Sequence, residues 1–379
     1  MGIADGPDPA TKGKIVTRAI EEYRKRLDEI TDRLVDLLNE RACIVREVGK
    51  IREATKRVIY RPSREAEILE QAERRNTYLP RETLRQLMRD IISACRTTEG
   101  TVRASYLGPK GTFSEVAALK LFGESATLIE GSNHLDTFRK LLANETDYAV
   151  MPFSNSAEGP VLGSLHVLRE ELFSKTTGLK IVAEWYVEVR LMLLGLPNQT
   201  PQVIYSHEEA LEQCAGYLRV HHPGAKLEKM SNTAEAAKRT AETPHSACIA
   251  GERVLRDHPT LTIFDRDVQD NKENVTRFVV IGKGMDSPSG NDKTCFAFCL
   301  KDKPGALSHV LDVLEKRGIN LSTLILVPHR DQSWRDVFFV EIQGHIADPN
   351  IRLAQNEMAK VSHQMKHLGS YADASKLFG

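Results

Sequence analysis

The sequence has no excess of either charge, because 52 lysines and arginines balance 52 aspartates and glutamates over 379 residues. Proteins that bind nucleic acids usually carry a basic excess or a basic stripe, so this balance argues against such a partner. No apolar run approaches the roughly 18 residues of a membrane-spanning helix, and the N-terminal residues lack the apolar core of a signal peptide. We therefore expect a soluble cytoplasmic protein that binds neither nucleic acid nor a membrane.

Motifs for metals, disulfides and nucleotides are also lacking. The cysteines form no C-x-x-C motif and have no paired histidines nearby, which favours reduced, buried thiols over a metal site. The cysteines are Cys43, Cys95, Cys214, Cys248, Cys295 and Cys299. Neither G-x-G-x-x-G nor a P-loop occurs, so no nucleotide cofactor is implied. We expect a protein without a metal or a cofactor.

The length of the chain indicates several domains. A single hydrophobic core rarely serves 379 residues, so two or three domains are expected. The hydrophobic share of 41% and the charged share of 27% are ordinary for globular proteins. We expect domains over residues 15–100, 103–283 and 292–375.

A long amphipathic helix is predicted over about residues 16–54. Its apolar residues recur in steps of three and four, which is a heptad pattern. These residues are Tyr23, Leu27, Ile30, Leu34, Leu37, Ile44, Val48 and Ile51. At ~1.5 Å per residue the helix is on the order of 60 Å long, too long to be covered by the shorter helices predicted after Pro62 and near Pro80. A dimer is therefore expected to bury its apolar stripe.

Several charged residues stand on helix faces that are otherwise apolar. Arg41 takes a position in the apolar stripe, where a buried guanidinium needs an anionic partner. Arg24 and Arg52 share another heptad position, at which an isolated arginine is more often a solvated flank. Glu99 extends the apolar face of the third helix, where a carboxylate alone is more often a frayed helix end. Beside Arg41, Glu99 becomes a candidate functional acid.

Residues 15–100 resemble the all-helical, three-helix chorismate mutase domain, which forms an intertwined dimer. The matching elements are Arg24, Glu40-Arg41, Val48-Gly49-Lys50, Arg61-Pro62-Ser63-Arg64-Glu65 and Glu99. The resemblance implies that Arg41 binds a substrate carboxylate and that Arg24 reaches into the site from the partner chain. It also implies that Glu65 meets the ring hydroxyl. We expect Arg64 and Cys95 to contact the substrate as well.

The same resemblance implies that Arg52 and Glu99 hydrogen-bond to the ether oxygen of the substrate. The family usually has lysine where this chain has Arg52. The positive charge and the hydrogen-bond donors are kept, but they belong to a longer side chain with a planar guanidinium group. Glu99 has to be protonated if it donates to that oxygen. A Claisen rearrangement needs no nucleophile, only a compact substrate conformer and donors where the ether oxygen gains negative charge. Arginine side chains suit both tasks.

Units of a strand, a small polar loop and a helix recur between residues 103 and 283. A strand over 104–107 turns through the loop 108–114 into a helix, and a strand over 148–152 ends in another polar loop. Such loops present free backbone N–H groups where helices begin, which indicates a cleft for a small anion. The alternation predicts an α/β fold. The late return of the chain at Thr276, beside the first strand, predicts two lobes with a cleft between them.

Residues 103–283 resemble prephenate dehydratase, most specifically in the triplet Thr276-Arg277-Phe278. The resemblance implies a two-lobed fold like that of periplasmic binding proteins. It implies that Thr276 is the principal catalytic residue, that Arg277 binds a carboxylate and that the loop at Asn155 orients the substrate. The other substrate-binding residues that it implies are Thr112, Ser156, Ser206, Gln213, Thr233 and Phe278.

The chemistry of a dehydratase explains the hydroxyl of Thr276. Losing carbon dioxide and hydroxide together restores an aromatic ring, so the leaving oxygen needs a donor more than the ring needs a base. A threonine hydroxyl is too weak an acid to act alone, and we assign it a hydrogen-bonding role. Ser154 departs from the family, which has glutamate before Asn155. Either Ser154 with a water or Glu158 replaces that carboxylate, or turnover suffers, or the carboxylate is a brace whose loss is tolerated.

The C-terminal residues follow a linker rich in Gly, Ser and Asp, and they predict the order β-α-β-β-α. Strands are expected over 294–300, 320–327 and 336–343. One helix is expected after the turn at Gly305, and the last helix is expected over about residues 349–367.

This order resembles an ACT regulatory domain of the phenylalanine-sensing type, which has an α+β, ferredoxin-like fold. The resemblance implies that Gly305, Ala306 and Leu307 contact the effector. The family's usual E-S-R-P is replaced by Ile325-Leu326-Val327-Pro328, so charged or polar positions have become apolar. Phenylalanine binding is therefore expected in altered form.

The three resemblances predict a bifunctional enzyme of phenylalanine biosynthesis, with chorismate and prephenate as substrates and phenylalanine as effector. The expected assembly is a homodimer or a dimer of dimers. One alternative is a chorismate mutase whose dehydratase domain is weakened, or altered into a decarboxylase or an arogenate-preferring enzyme. Another is a non-catalytic ligand sensor, against which the triplet at Thr276 and the arginines of the helices argue.

Overall fold

The computed structural model describes residues 9–55, 62–301, 303–328 and 336–375, without the side chains of residues 9–19, 52–55, 62, 63 and 66. The described residues form a helical module, a central domain of two α/β lobes and a C-terminal α+β module, which confirms the predicted fold classes. No helix in this part of the chain is both long enough and apolar enough to cross a membrane.

The helical module consists of α1 (Pro9–Thr55), α2 (Pro62–Arg75) and α3 (Arg81–Arg96). The C-terminal half of α1 packs against α3 through a face that includes Arg41 but none of the apolar residues of the heptad stripe. The covered residues of α1 are Leu38, Arg41, Ala42, Val45 and Gly49. The stripe itself stays open in one chain, where Leu27 and Leu37 are each 61% accessible. Neither α2 nor α3 covers the predicted apolar surface.

The central domain alternates strands and helices, as predicted. Its elements are β1 (Arg103–Leu107), α4 (Phe113–Phe122), β2 (Thr127–Gly131), α5 (His134–Leu142), β3 (Tyr148–Asn155), β4 (Gly159–Pro160), α6 (Leu162–Val167), β5 (Leu179–Glu188), β6 (Met192–Gly195), β7 (Val203–His207), α7 (Glu208–Gln213), α8 (Ala215–His221), β8 (Lys226–Met230), α9 (Thr233–Glu242), β9 (Ser246–Ala250), β10 (Thr262–Asp265) and β11 (Val275–Lys283). A π-helical turn over Leu168–Phe173 continues α6.

Two sheets define the two lobes of this domain. The first-lobe sheet has the order β2-β1-β3-β11-β5, and the second-lobe sheet has the order β10-β6-β9-β7-β8. The chain enters the second lobe after β5 and returns in β11, which lies antiparallel between β3 and β5. The prediction that the chain returns beside the first strand is wrong, because β2 and β3 already pair with the two edges of β1.

The C-terminal module consists of β12 (Asp292–Leu300), α10 (Ala306–Lys316), β13 (Leu321–Val327), β14 (Val337–Gln343), α11 (Pro349–Val361) and β15 (Ser362–Ala372). Its antiparallel sheet has the order β13-β14-β12-β15, and both helices pack on one face. The other face lies on the first lobe, where the two sheets share a hydrophobic core.

The predicted last helix over 349–367 is too long. α11 ends at Val361, and the following residues form β15, which pairs with β12. The pairing edge that β12 offers and the apolar surface of the first lobe favour a strand here, and both are tertiary effects. β15 crosses β5 so closely that a Cβ at Gly369 would lie 2.0 Å from the carbonyl oxygen of Ile181. Glycine is therefore required at this crossing.

Alternate side chains of β11 pack into two different hydrophobic cores, one on each face of the sheet. Phe278 and Val280 point to one face of the sheet and pack with residues of α4. Val279 and Ile281 point to the other face and pack against the C-terminal sheet. β11 therefore connects the first-lobe core with the C-terminal module.

Candidate functional site

The hydroxyl of Thr276 and the amide of Asn155 meet where β3 ends and β11 begins. The two residues are register partners in adjacent antiparallel strands. Asn155 Nδ2 donates to Thr276 Oγ1 at 2.9 Å and to Asn274 Oδ1 at 2.8 Å. Both Thr276 and Asn155 are only half-buried, so a ligand in the cleft can reach them.

Backbone contacts set the orientation of the Asn155 amide. Its Oδ1 accepts the N–H groups of Ala157 at 2.7 Å and of Glu158 at 3.1 Å. Since these donors require an oxygen, the amide nitrogen has to face Thr276. The Thr276 oxygen therefore accepts from Asn155, and its own proton is left to donate to a ligand.

Ser156 and Asn274 hold the chain around this pair. The Ser156 hydroxyl accepts the N–H of Val275 at 2.9 Å, which ties the loop after β3 to the start of β11. Asn274 is buried and accepts from Asn155. Sequence reasoning assigned no role to Asn274. The two-residue period of an extended chain could have found it, because that period places it on the same face as Thr276.

A contact between the two lobes borders the same site. Gln213, the last residue of α7, donates through Nε2 to Glu158 Oε1 at 2.5 Å. The structure thus brings Gln213 to the loop that carries Asn155 and Ser156. Glu158, one of the possible replacements for the family's carboxylate, faces Gln213 in this arrangement.

Arg277 points away from the cleft, and the prediction that it binds a substrate carboxylate is wrong. As the neighbour of Thr276 in a strand, it faces the opposite side of the sheet, where it is 6% accessible. Its Nε donates to Glu184 at 2.7 Å, and its Nη1 donates to Glu341 at 2.6 Å. Two buried carboxylates already neutralise this guanidinium, so it is not available to a substrate.

Phe278 and Ser206 are buried and are not presented to the cleft. Phe278 is 1% accessible and belongs to the first-lobe core. The Ser206 hydroxyl is fully buried and donates to the carbonyl of Ile249 at 2.6 Å. Phe278 is buried because its ring packs in the core. Ser206 points inward because its buried hydroxyl needs a hydrogen-bond partner. The structure therefore does not support their predicted substrate contacts.

Thr112 and Thr233 lie at the starts of α4 and α9. Thr112 is the N-cap residue of α4, but its hydroxyl donates to the carbonyl of Pro109 at 2.9 Å instead of accepting from the helix. The loop before α4 reaches the second lobe, because a Cβ at Gly111 would lie 3.5 Å from the Cβ of Ala234. The two threonines thus lie near the junction of the lobes, and both are half-buried.

Ser154 lies on the Arg277 side of the sheet. It is the register partner of Arg277 in β3. A bulge at this point leaves Phe153 without a register partner in β11, and the Arg277 guanidinium lies 4.9 Å from the Phe153 ring centre. Since register partners lie on the same face of a sheet, a side chain at position 154 points towards Arg277 and not towards Thr276.

Arg41, Glu65 and Arg96 form a second candidate site, in the helical module. Glu65 of α2 forms an ion pair with Arg96 of α3, and Arg41 of α1 also favours the ionised form of Glu65. The Arg41 Nη1 is buried without a hydrogen-bond partner among the described residues. A buried donor of this kind is available to an anionic group.

Glu65 exchanges a proton near neutral pH. Burial raises the pKa of Glu65 to about 7, although the neighbouring guanidinium groups, first of all that of Arg96, oppose this shift. A cavity of about 620 Å³ borders Glu65 and Arg96 and extends to the first lobe. At this cavity Arg89 lies over the Trp185 ring, 4.9 Å from its centre. Glu65 can therefore accept from a hydroxyl group beside several cations.

The structure places three other predicted residues of this module in different surroundings. Cys95 is buried. Glu99 lies against α1, because a Cβ at Gly49 would be 3.0 Å from its side chain. Arg64 is exposed and pairs with Glu67 at 2.6 Å, so the structure does not bring it to the site.

Arg24 lies far from Arg41 on the same helix. At ~1.5 Å per residue, about 25 Å of helix axis separates the two residues. One chain therefore cannot bring both to a single small ligand. The side chain of Arg52, which is also predicted at this site, lies outside the described residues.

The predicted effector residues form one turn at the start of α10. Gly305 precedes the helix with a φ of 78°, in the left-handed region that favours glycine. Gly305 is exposed, whereas Ala306 is buried and Leu307 is half-buried. Ala306 therefore anchors this turn in the module while Gly305 stays accessible.

Comparison with protein families finds three matches along the chain. Residues 23–100 match the family of chorismate mutase type II. Residues 104–286 match prephenate dehydratase, and residues 296–358 match the ACT domain.

Several relatives match nearly the whole chain. A bifunctional chorismate mutase/prephenate dehydratase of Aquifex aeolicus is 35% identical over 362 residues, which cover 94% of this chain and 98% of the relative. The protein of the same name from Stutzerimonas stutzeri is 34% identical over 369 residues, with coverage of 94% and 98%. Among solved structures, prephenate dehydratase from Arthrobacter aurescens in complex with L-Phe has a TM-score of 0.67 and 30% identity, over 73% of this chain and 91% of that chain.

Proposed function

The chain belongs to the family of bifunctional chorismate mutase/prephenate dehydratases, and we propose that it works through two separate sites. Its two activities serve phenylalanine biosynthesis. Chorismate is rearranged to prephenate, and prephenate is decarboxylated and dehydrated to phenylpyruvate. We assign the first reaction to the site at Arg41 and Glu65, and the second to the site at Thr276 and Asn155.

The hydrogen bond between Asn155 and Thr276 carries the assignment of the dehydratase site. In this reaction the ring carboxylate leaves as carbon dioxide, and the electrons of the broken C–C bond move through the ring and expel the hydroxyl group. The departing group leaves as hydroxide, whose oxygen takes up a proton from the solvent. Thr276 accepts from Asn155 and directs its own proton towards this oxygen, which stabilises the negative charge that develops there.

Binding of the substrate carboxylates requires groups other than Arg277. Helix N-termini favour anions because their first N–H groups have no partner within the helix. Asn232 caps one such group of α9, that of Glu235. Glu115 accepts the N–H of Gly111 before α4, so the other N–H groups of the two first turns are the proposed donors.

Thr112 and Thr233 mark the starts of α4 and α9 near the junction of the lobes. We therefore assign carboxylate binding to the two helix starts, with the Asn155 loop and Gln213 closing the cleft.

The mutase site binds its substrate without forming a covalent bond to it. One C–O bond breaks and one C–C bond forms within the same molecule, so the protein has to select a compact conformer and stabilise the ether oxygen. Arg41 offers a buried donor to a carboxylate, and ionised Glu65 accepts from the ring hydroxyl. Arg52 and Glu99 are the proposed donors to the ether oxygen.

A homodimer completes this mutase site. The open apolar stripe of α1 offers a second copy of the chain a long surface to bury. Because Arg24 and Arg41 are about 25 Å apart on one helix, the arginine that joins Arg41 is Arg24 of the partner subunit. A dimer of dimers would add contacts elsewhere without changing this site.

Phenylalanine is the proposed effector, bound at the start of α10. The similar dehydratase from Arthrobacter aurescens is in complex with L-Phe, which supports this choice. The apolar stretch Ile325-Leu326-Val327 supports weakened binding. We also assign the protein to the cytoplasm.

Incubation with chorismate and identification of the products test this proposal. The wild-type chain should form prephenate and then phenylpyruvate. Thr276→Ala should accumulate prephenate, because the mutase site uses other residues. Arg41→Ala should leave chorismate unchanged but still convert added prephenate. Phenylpyruvate formation by Thr276→Ala at the wild-type rate would contradict the dehydratase assignment.

A further inference from the structure

Arg277 and Glu341 join the strand that carries Thr276 to the C-terminal module. The Arg277 guanidinium contacts both oxygens of Glu341 through Nη1 and Nη2, while its Nε donates to Glu184. Tyr371 donates to Glu341 and accepts from Arg277 at 3.3 Å. Glu184 belongs to β5 of the first lobe, and Glu341 and Tyr371 belong to the C-terminal sheet. Arg277 therefore binds one carboxylate on each side of the module boundary.

Lys293 of β12 forms a further ion pair across the same boundary, with Glu184 at 3.0 Å, and a second pair within the C-terminal module, with Asp373 at 2.9 Å. Burial opposes the ionisation of Glu341, but Arg277 holds the pKa of that carboxyl below its ordinary value. The Arg277 cluster is defined here as Arg277, Glu184, Lys293, Glu341, Tyr371 and Asp373. A buried network of this kind holds its members firmly when complete and is disturbed strongly when one partner is removed.

The cluster fixes β11 at the residue next to Thr276. Adjacent residues of a strand leave opposite faces, so a displacement of β11 at Arg277 also moves Thr276. Tyr186, the register partner of Arg277 in β5, has its ring centre 6.0 Å from the guanidinium, and the Phe153 ring lies at 4.9 Å. Phe153 lies in the β3 bulge, where strand direction depends on local side-chain contacts. Three strands are therefore held in place around one guanidinium.

We infer that Arg277 is a positioning residue for the dehydratase reaction, and that the C-terminal module acts on it through Glu341. Docking of β14 sets the position of Arg277, and Arg277 sets the direction in which Thr276 donates to the departing hydroxyl. Displacement of the C-terminal module removes the bidentate partner of Arg277 and lowers dehydratase turnover. The mutase helices contribute no residue to the cluster. This inference rests on the proposed role of Thr276.

Glu341→Gln tests this link with little change in shape. The amide keeps the size of the side chain but loses the charge and one of the two acceptors for Arg277. We expect kcat with prephenate to fall on the order of 10- to 100-fold with little change in KM, because a misplaced donor affects the transition state more than ground-state binding. Mutase activity of the same preparation should stay at the wild-type level and report a folded chain.

Arg169→Met is the matched control. Arg169 is another buried arginine at the same boundary, and it donates to the carbonyl of Pro328 just after β13. Its loss weakens the docking of the module without touching β11. We expect a lower melting temperature and an unchanged dehydratase kcat. A loss of kcat equal to that of Glu341→Gln would indicate general loosening and would overturn the inference.

Together with Glu341→Gln, the variant Arg277→Met and the double variant Arg277→Met/Glu341→Gln form a double-mutant cycle. If Glu341 acts through Arg277, the double variant has the kcat of Arg277→Met alone. Losses that multiply, or a wild-type kcat in Glu341→Gln, overturn the inference. If circular dichroism shows that Arg277→Met fails to fold, Tyr371→Phe takes its place. That variant removes a hydrogen bond to Glu341, and its loss of kcat should not multiply with that of Glu341→Gln.

Thr276→Ala separates this inference from the proposed function. Dehydratase activity that survives in Thr276→Ala shows that the role of Thr276 itself is wrong. Activity that is lost in Thr276→Ala but kept in Glu341→Gln shows that only the positioning inference is wrong.

Discussion

Asn155 donates through its side-chain nitrogen to the hydroxyl oxygen of Thr276 over 2.9 Å, and two backbone N–H groups hold that amide in its orientation. The Thr276 proton is thereby directed away from Asn155. A weakly acidic hydroxyl becomes a donor with a defined direction, at the place where negative charge develops on the substrate. The chemical nature of the Asn155 side chain, and not only its size, is therefore important.

Asn155→Asp should lose most dehydratase turnover although the side chain keeps its size. An ionised carboxylate only accepts hydrogen bonds, so Thr276 would donate its hydrogen bond to the new carboxylate instead of to the substrate. We expect kcat to fall about 10²- to 10³-fold, as for the loss of one donor at a developing charge. Steady-state rates with prephenate measure this loss, and mutase rates serve as the control. Wild-type turnover would disprove the proposed direction of the Thr276 hydroxyl.

Ser154→Glu should lower dehydratase turnover about tenfold, which corresponds to about 1.4 kcal/mol in the barrier. The new carboxylate would reach Arg277 across the strand pair and compete with Glu341 for the guanidinium. Ser154→Gln has the same length without the charge and should have a smaller effect. Rates with prephenate and with chorismate distinguish the two reactions, since the mutase should not change. If neither variant altered dehydratase turnover, Ser154 would be a bystander.

Glu65→Gln should flatten the pH profile of the mutase. Because the pKa of Glu65 is raised to about 7 and the ionised form is needed to accept from the ring hydroxyl, wild-type kcat/KM should fall about tenfold per pH unit below that value. The same shift means that this carboxyl stabilises the fold fully below about pH 4.5, and that its contribution is lost as the pH rises through about 7. Rates with chorismate at a series of pH values provide the test. A wild-type profile that rises on acidification would contradict the assignment.

Replacing Leu27 and Leu34 together by glutamate should separate the two activities. Both residues lie in the open stripe of α1, and charges there would prevent burial against a second copy. We expect monomers by light scattering and a loss of mutase activity of at least about 100-fold, because the partner arginine can no longer reach the site. Dehydratase activity should remain. Asp32→Lys, on the opposite side of α1, is the control and should stay dimeric and active.

Gly305→Ala should weaken phenylalanine binding more than Gly318→Ala does. Both glycines have positive φ angles, 78° and 62°, and they lie at opposite ends of α10. Each substitution therefore strains the backbone by a similar amount, about 1 kcal/mol, but only Gly305 lies at the proposed effector turn. Calorimetry with phenylalanine compares the two variants. Equal binding in both, or no heat with the wild-type chain, would exclude an effector site there.

Patterns between near neighbours in the chain allowed correct prediction of many elements. The heptad repeat predicted α1, and the recurring strand-loop-helix units predicted the α/β lobes, because both patterns depend on local geometry. The resemblance drew attention to Thr276, Asn155, Ser156 and Gln213, which the fold brings together. The end of α11 was predicted wrongly, since the strand that follows it forms only because β12 offers a pairing edge.

The sequence by itself determined which elements form and which chemical groups the chain can offer, including the hydroxyl of Thr276 and the guanidinium of Arg277. Only the tertiary structure decided that these adjacent residues serve opposite faces of β11. The bidentate partner of Arg277 is Glu341, which lies 64 residues further along the chain, and no local period points to it. Periodicity is a property of nearby residues, whereas ion pairs and strand pairs are chosen by long-range packing. For this reason one residue of the motif faces the cleft and the next joins two modules.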